Sequence, residues 1–222
     1  DYPAAIKILT KIVTESDEYP EAYLYLGRSY HALKEYSKAI LYLSFFKNER
    51  PDSPAAHFYL GRAYLSAGIY PKAVPHLERA AESSSSAKPT ILLGIAYLKA
   101  KQFENAVEYL GRAVEQQPEN QRVYMGYLNA LLIHGLRRFH ADDFEMARQI
   151  LQFLADRDLE SVTVYLYLAK ALRELGLHRE AALYYRRAAD LEDDDQLIKL
   201  QLADSLFAAG GHNERSEASR LM

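Results

Sequence analysis

The sequence predicts an all-α chain built from repeated pairs of antiparallel helices. Three observations lead to this prediction. The segment YLYLGRSY at 23–30 returns as FYLGRAY at 58–64, 34 residues later, and as LLGIAY at 92–97 after 33 more. A recurrence of this length marks a repeat architecture. Apolar residues recur at helical spacing along most of the chain, and no segment shows the alternation expected of a β-strand.

The helices follow one another with short connections whose residues explain the boundaries. Pro20 and Pro54 lie where a helix can begin, and Ala67-Gly68 is typical of a glycine helix end. Loops are expected at 16–19, which includes Asp17, and at the four serines 83–86. Helices are predicted over 2–14, 20–33, 36–49, 54–67, 70–82, 87–100 and 103–116. Pro75 falls inside one of them, as a kink or as a tolerated early-helix proline.

The fourth pair of helices, from Gln121 onward, departs from the regular spacing. Its first helix is predicted to reach about Gly135, and its second to begin only near Asp143. We therefore expect about seven inserted residues, 136–142, that project from the array. Later helices are predicted at about 161–175, 178–190, 195–209 and 213–222.

Composition and motifs exclude several classes of function. The formal net charge is −3 without a long basic run, so the footprint of a nucleic-acid-binding protein is missing. The absence of cysteine excludes disulfides, thiolate metal sites and cysteine nucleophiles. No apolar run is long enough for a membrane helix, and no phosphate-binding loop, nucleophile elbow or metal-binding histidine set occurs. We expect a soluble protein that is not an enzyme, with no cofactor and no metal, and we favour the cytoplasm.

The repeated residues resemble the tetratricopeptide repeat, whose pattern is an aromatic, Leu-Gly, Tyr, Ala, a large apolar residue and Pro over about 34 positions. The first repeat supplies Tyr23, Leu26-Gly27, Tyr30 and Ala39. This resemblance implies a right-handed superhelical solenoid of antiparallel helix pairs. We predict a single array, 1–222, with a half repeat at 2–19, repeats at 20–53, 54–86, 87–120, 121–160 and 161–194, and a partial repeat at 195–222. Because the chain begins within an amphipathic pattern, we expect it to be a fragment.

The small residues of the pattern have a packing role. Gly27, Gly61 and Gly94 lack a Cβ and let the paired helix approach closely, so Gly61→Leu is expected to disrupt the helix interfaces. Ala169 is expected to replace glycine in the fifth repeat. In the fourth repeat, Tyr127-Leu128 is assigned to the Leu-Gly position.

The resemblance also implies a binding face, because in this family the first helix of each repeat lines a concave surface that takes extended peptides. The alternative is that the aliphatic members pack between neighbouring helices and the arginines are solvated. The positions that flank the glycine column are Leu24, Tyr25, Arg28, Phe58, Tyr59, Arg62, Lys88, Ile91, Ile95, Lys99, Met125, Asn129, Tyr167, Lys170 and Arg173. Aromatic and arginine side chains are enriched at binding hot spots, and His31 belongs to the same face.

Two charged segments complete the candidate residues. Within the predicted insertion, Arg137, Arg138, Phe139 and His140 are a candidate second contact for a partner or another copy of the chain, and a loop variation without function is the alternative. The acidic stretch 190–195 is expected to cap the next helix rather than to hold a cation.

We therefore predict a non-enzymatic scaffold that binds a peptide segment of a partner protein, with apolar and acidic residues in that segment. One subgroup of the family clamps the terminal carboxylate of chaperones with Lys, Asn and Arg, and here only Lys88 fits that set. The alternatives are a structural or self-assembling subunit of a complex, or the regulatory arm of a larger enzyme. The sequence does not identify the partner.

Overall fold

The computed structural model describes residues 1–16, 18–157 and 160–221, and this part of the chain contains thirteen α-helices and no strand. Asp17, Asp158, Leu159 and Met222, which fall within the predicted segments 16–19, 121–160 and 195–222, lie outside the described residues. The helices are α1 (Tyr2–Glu15), α2 (Pro20–Ala32), α3 (Tyr36–Glu49), α4 (Pro54–Ser66), α5 (Tyr70–Glu82), α6 (Ala87–Lys99), α7 (Phe103–Gln116), α8 (Gln121–His140), α9 (Phe144–Ala155), α10 (Val162–Glu174), α11 (His178–Leu191), α12 (Gln196–Ala209) and α13 (His212–Leu221). The predicted all-α class, built from repeated helix pairs, is confirmed.

Five of the helix pairs are joined by the same tight turn. The turn places one residue at positive φ, and the N–H of the following residue donates to a carbonyl in the last turn of the helix, as Glu35 N–H does to Tyr30 O at 2.9 Å. This is the 6→1 bond of a Schellman motif. The predicted glycine stop at Gly68 (φ 77°) is of this type. The positive-φ residues of the five turns are Lys34, Gly68, Lys101, Asp142 and Gly176.

Two compact units make up the chain, unit 1 at 1–127 and unit 2 at 128–222, and the division falls within α8. In unit 1 each helix from α1 to α7 packs on the next, and α2 also contacts α4, as α4 contacts α6. The first helices of successive pairs therefore lie side by side in this unit. In unit 2, α9 to α13 pack consecutively in the same way.

The glycine column of unit 1 is a close-packing device, as the sequence predicts. A Cβ added at Gly61 would lie 2.8 Å from Leu77 Cγ, and one at Gly94 would lie 2.7 Å from Leu110 Cγ. Both distances are well inside van der Waals contact, so a side chain would force the paired helices apart. In the fifth pair, Ala169 takes the corresponding place and is fully buried.

The expected alignment of the fourth pair is wrong. A Cβ at Gly135 would meet Ile150 Cγ2 at 3.1 Å and Leu151 Cγ at 3.2 Å, which is the contact that Gly94 makes with Leu110 at the same separation of 16 residues. Gly135, not Leu128, therefore occupies the glycine position. The seven extra residues therefore precede Gly135 within α8. Seven residues are close to two helical turns of about 3.6 residues each, so both alignments keep the apolar residues on the same side of the helix.

The predicted projecting insertion is consequently absent as a loop, because 136–140 is the last part of α8 and 141–142 its turn into α9. Elsewhere, α5 continues through the exposed Pro75. The capping role of the acidic stretch is confirmed at Asp195, whose Oδ1 accepts from Leu197 N–H at 2.8 Å and Ile198 N–H at 3.2 Å. None of the helices in the described segments has the length and apolar character needed to cross a membrane.

Candidate functional site

The side chains predicted to face a partner meet most closely where α2 lies beside α4. The guanidinium carbon of Arg28 lies 4.8 Å from the centroid of the Tyr59 ring, and that of Arg62 lies 5.0 Å from the same centroid. The guanidinium carbon of Arg28 also lies 5.5 Å from the centroid of the Tyr25 ring, and that of Arg62 lies 5.8 Å from the centroid of the Phe58 ring. We call these five residues the arginine–aromatic cluster. Cation–π contact of this kind restricts both arginines before any ligand is present.

The helix geometry accounts for the cluster. Tyr25 and Arg28, like Tyr59 and Arg62, are three residues apart and so share a helix face. Tyr59 also packs its ring against the buried core around Leu43 and Leu60, while Tyr25 remains half exposed. The cluster thus has a rigid base and an accessible surface.

Both arginines of the cluster lack an ion pair in the described part of the chain, whereas Arg50 in the same unit pairs with Glu21 at 3.4 Å. Arg62 is partly buried, and its Nε has no hydrogen-bond partner. Burial lowers the pKa of Arg62; the Tyr59 hydroxyl raises it, and the positive charge of Arg28 lowers it further. Two like charges are therefore held near each other without a neutralising acid, an arrangement that an anion would relieve.

His31 extends the cluster by one turn of α2. Its Nε2 lies 3.0 Å from Ser66 Oγ on α4. Burial, and then the positive charge of Arg62, lower the pKa of His31. The imidazole is therefore held in its neutral form near neutral pH, and it joins the two helices through a hydrogen bond rather than through an ion pair.

A pocket of about 250 Å³ adjoins the arginine–aromatic cluster, because Phe58 and Tyr59 both line it. Pro54, Phe58 and Tyr59 of α4 form one wall, and Lys88 and Pro89 of α6 form another. Ala80 and Ser84 close it from the end of α5 and the connection that follows. The lining is mainly apolar with one cation at its edge, which is the composition of a small side-chain pocket.

The remaining predicted residues of unit 1 are placed more loosely. Lys88 and Lys99 are exposed at the two ends of α6, and Ile91 and Ile95 are partly buried between them. No hydrogen bond, ion pair or ring contact among the described residues links these α6 side chains to the arginines. Leu24 packs on the core around Leu43 and Leu60, in agreement with the packing alternative for the aliphatic positions.

Met125 and Asn129 were selected through the alignment that places Leu128 in the glycine position. They are exposed on α8 before Gly135, so they do not correspond to the face positions of the other first helices.

The corrected alignment brings Phe139 and His140 onto the predicted face in unit 2. Their rings lie 5.2 Å and 5.7 Å from the Tyr167 ring of α10, both in edge-on geometry. The Phe139 ring centroid also lies 5.5 Å from that of Phe144, and Lys170 Nζ lies 5.0 Å from the centroid of the Tyr167 ring. The predicted second contact and the predicted binding face are therefore one surface in unit 2, with Tyr167 largely engaged by its own chain.

Two charged members of this second surface, Arg138 and Arg173, have acidic partners. Arg138 Nη1 lies 3.4 Å from Asp143 Oδ2, and Arg173 Nη2 lies 3.2 Å from Glu174 Oε1. Arg137 is exposed. Burial, and then the charge of Arg173, lower the pKa of Lys170. Unlike the arginine–aromatic cluster, this surface neutralises much of its own charge.

Sequence reasoning missed a pair of histidines in unit 1. The Nδ1 atoms of His57 and His76 lie 3.0 Å apart, and His57 Nε2 lies 2.9 Å from Pro51 O. Because the carbonyl can only accept, His57 carries its proton on Nε2, and His76 Nδ1–H donates to His57 Nδ1. Burial, then the charges of His57, Lys47 and Arg79, lower the pKa of His76 to about 4. Other repeats place aromatic residues at the positions of His57 and His76. The repeat spacing alone would therefore have predicted that these two side chains contact each other.

No group of three or more metal-ligating side chains occurs among the residues that the structure describes.

The sequence matches models of a known repeat family. Two models of the tetratricopeptide repeat match the sequence, one at 1–44, 41–88 and 134–196 and the other at 65–128. The third of those matched segments begins at residue 134. Comparison with curated protein sequences gave no match.

Similar folds occur among solved structures. YrrB, described as a tetratricopeptide repeat protein with an unusual peptide-binding site, is 18% identical with a TM-score of 0.57, covering 86% of this chain and 95% of its own. MamA is 20% identical with a TM-score of 0.55, covering 80% and 94%. The C-terminal part of a repeat protein from Cytophaga hutchinsonii is 14% identical with a TM-score of 0.54, covering 89% and 76%. At these identities the likeness shows the fold. Since the matched segments cover most of the sequence, the chain belongs to the tetratricopeptide repeat family.

Proposed function

We propose that this chain binds an extended peptide segment of a partner protein on the face formed by the first helices of unit 1. Membership in the family supports a general role in protein interaction. The observation that carries the specific proposal is the arginine–aromatic cluster, in which two arginines stack on one tyrosine and have no acidic partner among the described residues.

Side chains that are ordered in advance lower the cost of binding. A side chain that is already ordered loses little conformational freedom when a ligand arrives, and each mobile side chain that must be fixed costs about 0.5–1.5 kcal/mol. Tyr59 is held by the core, and Arg28 and Arg62 are held against Tyr59. Tyr25, which is 50% exposed, supplies accessible aromatic area. The proposal contains no catalytic step.

Affinity capture with a variant of the cluster tests the proposal. The variant Tyr25→Ala/Arg28→Glu/Tyr59→Ala/Arg62→Glu should lose partners that the native chain captures and that peptide arrays trace to one linear segment. A matched control, Lys38→Glu/Leu41→Ala/Lys72→Glu/Leu183→Ala, changes exposed residues of the second helices and should keep them. Because Tyr59 contacts the core, the charge reversals alone, Arg28→Glu/Arg62→Glu, provide a second variant. Retention of the same partners by both cluster variants would contradict the proposal.

A further inference from the structure

We infer that the segment bound in unit 1 carries at least one acidic side chain next to an apolar anchor residue, with the acid held by Arg28 and Arg62 and the anchor in the pocket beside Tyr59. This inference rests on the proposed function and adds the chemistry of the ligand. It concerns an internal acidic side chain, not the terminal carboxylate of a peptide.

The arginines supply the first part of the argument. Their guanidinium carbons lie 4.8 Å and 5.0 Å from one ring centroid, so they are at most about 10 Å apart. In an extended chain, side chains on one face are two residues, or about 7 Å, apart. One carboxylate between the arginines, or two at alternate positions, therefore fits the spacing, and guanidinium groups bind carboxylates through paired hydrogen bonds.

The burial of Arg62 makes it the more important of the two. Its Nε is buried without a partner, and burial lowers its pKa. A partly desolvated guanidinium gains more from an adjacent carboxylate than a solvated guanidinium does. Arg28 is exposed, so its contribution is weakened by solvent.

The pocket supplies the second part. Phe58 and Tyr59 belong both to the pocket wall and to the arginine–aromatic cluster. A chain that places a carboxylate beside Arg62 is therefore adjacent to the pocket. Its volume of about 250 Å³ and its Pro54, Ala80 and Pro89 lining suit an aliphatic or aromatic side chain. Lys88 at the edge adds a third cation on the path of the segment.

The chain itself does not provide such an acid at the cluster. Arg50 and Arg79, elsewhere in unit 1, pair with Glu21 at 3.4 Å and with Asp52 at 4.0 Å. No described ion pair joins Arg28 or Arg62 to a carboxylate. With a formal net charge of −3, the whole chain is mildly acidic, so this local positive surface stands against the average charge. Charge complementarity therefore points to an acidic segment of a partner protein.

The test begins with selection from a random library of displayed 12-residue peptides on the native 222-residue chain. Enriched peptides should carry Asp or Glu within about two residues of Leu, Ile, Phe or Met, the reach of an extended chain from the arginines to the pocket. The best peptide is then synthesised with both ends blocked, together with a version in which its acidic residue is replaced by the amide. Fluorescence anisotropy gives the dissociation constant of each.

The decisive measurement is the coupling between the acidic residue of the peptide and the two arginines, read from the dissociation constants. Arg62→Gln should weaken binding about tenfold and Arg28→Gln about threefold. The amide peptide should bind the native chain about tenfold more weakly, and it should bind Arg28→Gln/Arg62→Gln as well as the acidic peptide does. The control Arg50→Gln/Arg79→Gln should change neither dissociation constant. Ala55→Phe and Ser84→Leu, each of which fills the pocket, should weaken both peptides alike, after thermal denaturation shows that the variants fold.

Each other outcome has a defined meaning. Selected peptides without acidic residues, or equal losses on the amide replacement with and without the arginines, overturn this inference. If Tyr25→Ala still weakens the binding of the selected peptides in either case, the proposed function stands without this inference. Binding that requires phosphoserine in place of the carboxylate also overturns the inference. Failure to select any peptide counts against both the inference and the proposed function.

Discussion

The α2–α4 face of unit 1 and the α8–α10 face of unit 2 place aromatic and cationic side chains at comparable positions, yet they differ in what those side chains contact. In unit 1, Arg28 and Arg62 stack on Tyr59 without an acid. In unit 2, Phe139 and His140 meet the Tyr167 ring. A repeat position therefore does not by itself define a binding residue. The side chain opposite it decides whether the position stays accessible or becomes part of the packing.

The units also differ beneath these faces. The first three pairs have glycine at the point of closest approach, and a Cβ there would fall within 3 Å of a leucine. In unit 2, Gly135 keeps the glycine with slightly longer distances of 3.1 Å and 3.2 Å, and the fully buried Ala169 and Ala203 take this place in the later first helices. Unit 1 should thus be the less tolerant of added volume at these positions. Four measurements test this and the other differences between the two units.

The largest effect is expected from Gly61→Leu. The added Cβ alone lies 2.8 Å from Leu77 Cγ, so the free energy of unfolding should fall by more than the roughly 1–3 kcal/mol usual for overpacking. Gly126→Leu is the matched control, because a Cβ there meets nothing within 4 Å. Thermal denaturation should show a clear loss for the first variant and none for the second. An unchanged melting temperature for Gly61→Leu would contradict the packing assignment.

The next largest effect separates the two faces. Phe139→Ala removes ring contacts to Tyr167 and Phe144 and should lower the free energy of unfolding by about 2 kcal/mol. Tyr25→Ala, at a side chain that is 50% exposed, should cost less than about 1 kcal/mol. Urea denaturation followed by circular dichroism compares the two variants. Equal losses would mean that the unit 1 face is packing and not an accessible surface.

A pH effect should arise in unit 1 from His76, whose pKa is lowered to about 4 in the folded chain. The unfolded chain, with an ordinary histidine near pH 6.5, takes up the proton first, so stability is complete above about pH 6.5 and declines as the pH falls towards 4. Allowing for partial solvent exposure, the loss should be roughly 1–2 kcal/mol.

The control for that effect is His76→Tyr, since Tyr42, Tyr109 and Tyr184 occupy the same place in other pairs. Urea midpoints at pH 7 and pH 4.5 should differ less for the variant than for the native chain. The same difference in both would show that the histidine pair is not the source of the pH dependence.

The smallest effect concerns a helix cap in unit 2. Asp195→Ala removes the acceptor for Leu197 and Ile198 N–H and should cost about 1 kcal/mol. Asp194→Ala, at an exposed neighbour, should be close to neutral. Thermal denaturation at low ionic strength measures the difference. Identical melting temperatures would show that the capping bonds contribute nothing in solution.

Much of the architecture follows from local sequence. Period, turn residues and the Gly27, Gly61 and Gly94 column predicted the helices of unit 1 to within one or two residues, because each depends on interactions within one helix pair. The repeat boundaries and the binding role of the face remain predictions. The predicted alignment of the fourth pair was wrong because the seven extra residues amount to almost two helical turns. A shift of that size leaves the apolar pattern in phase, so only the contact with Leu151 identifies Gly135.

The repeated residues were enough to assign the family, the helix pairs and the set of residues from which a binding face could be drawn. Which of those residues contact one another became visible only from the packing of neighbouring helices. Arg28 and Arg62 meet at Tyr59 because α2 lies beside α4, and Phe139 covers Tyr167 because the extra turns of α8 precede Gly135. The reason is physical: periodicity fixes which side of a helix a residue occupies, whereas the neighbouring helix fixes what that residue touches.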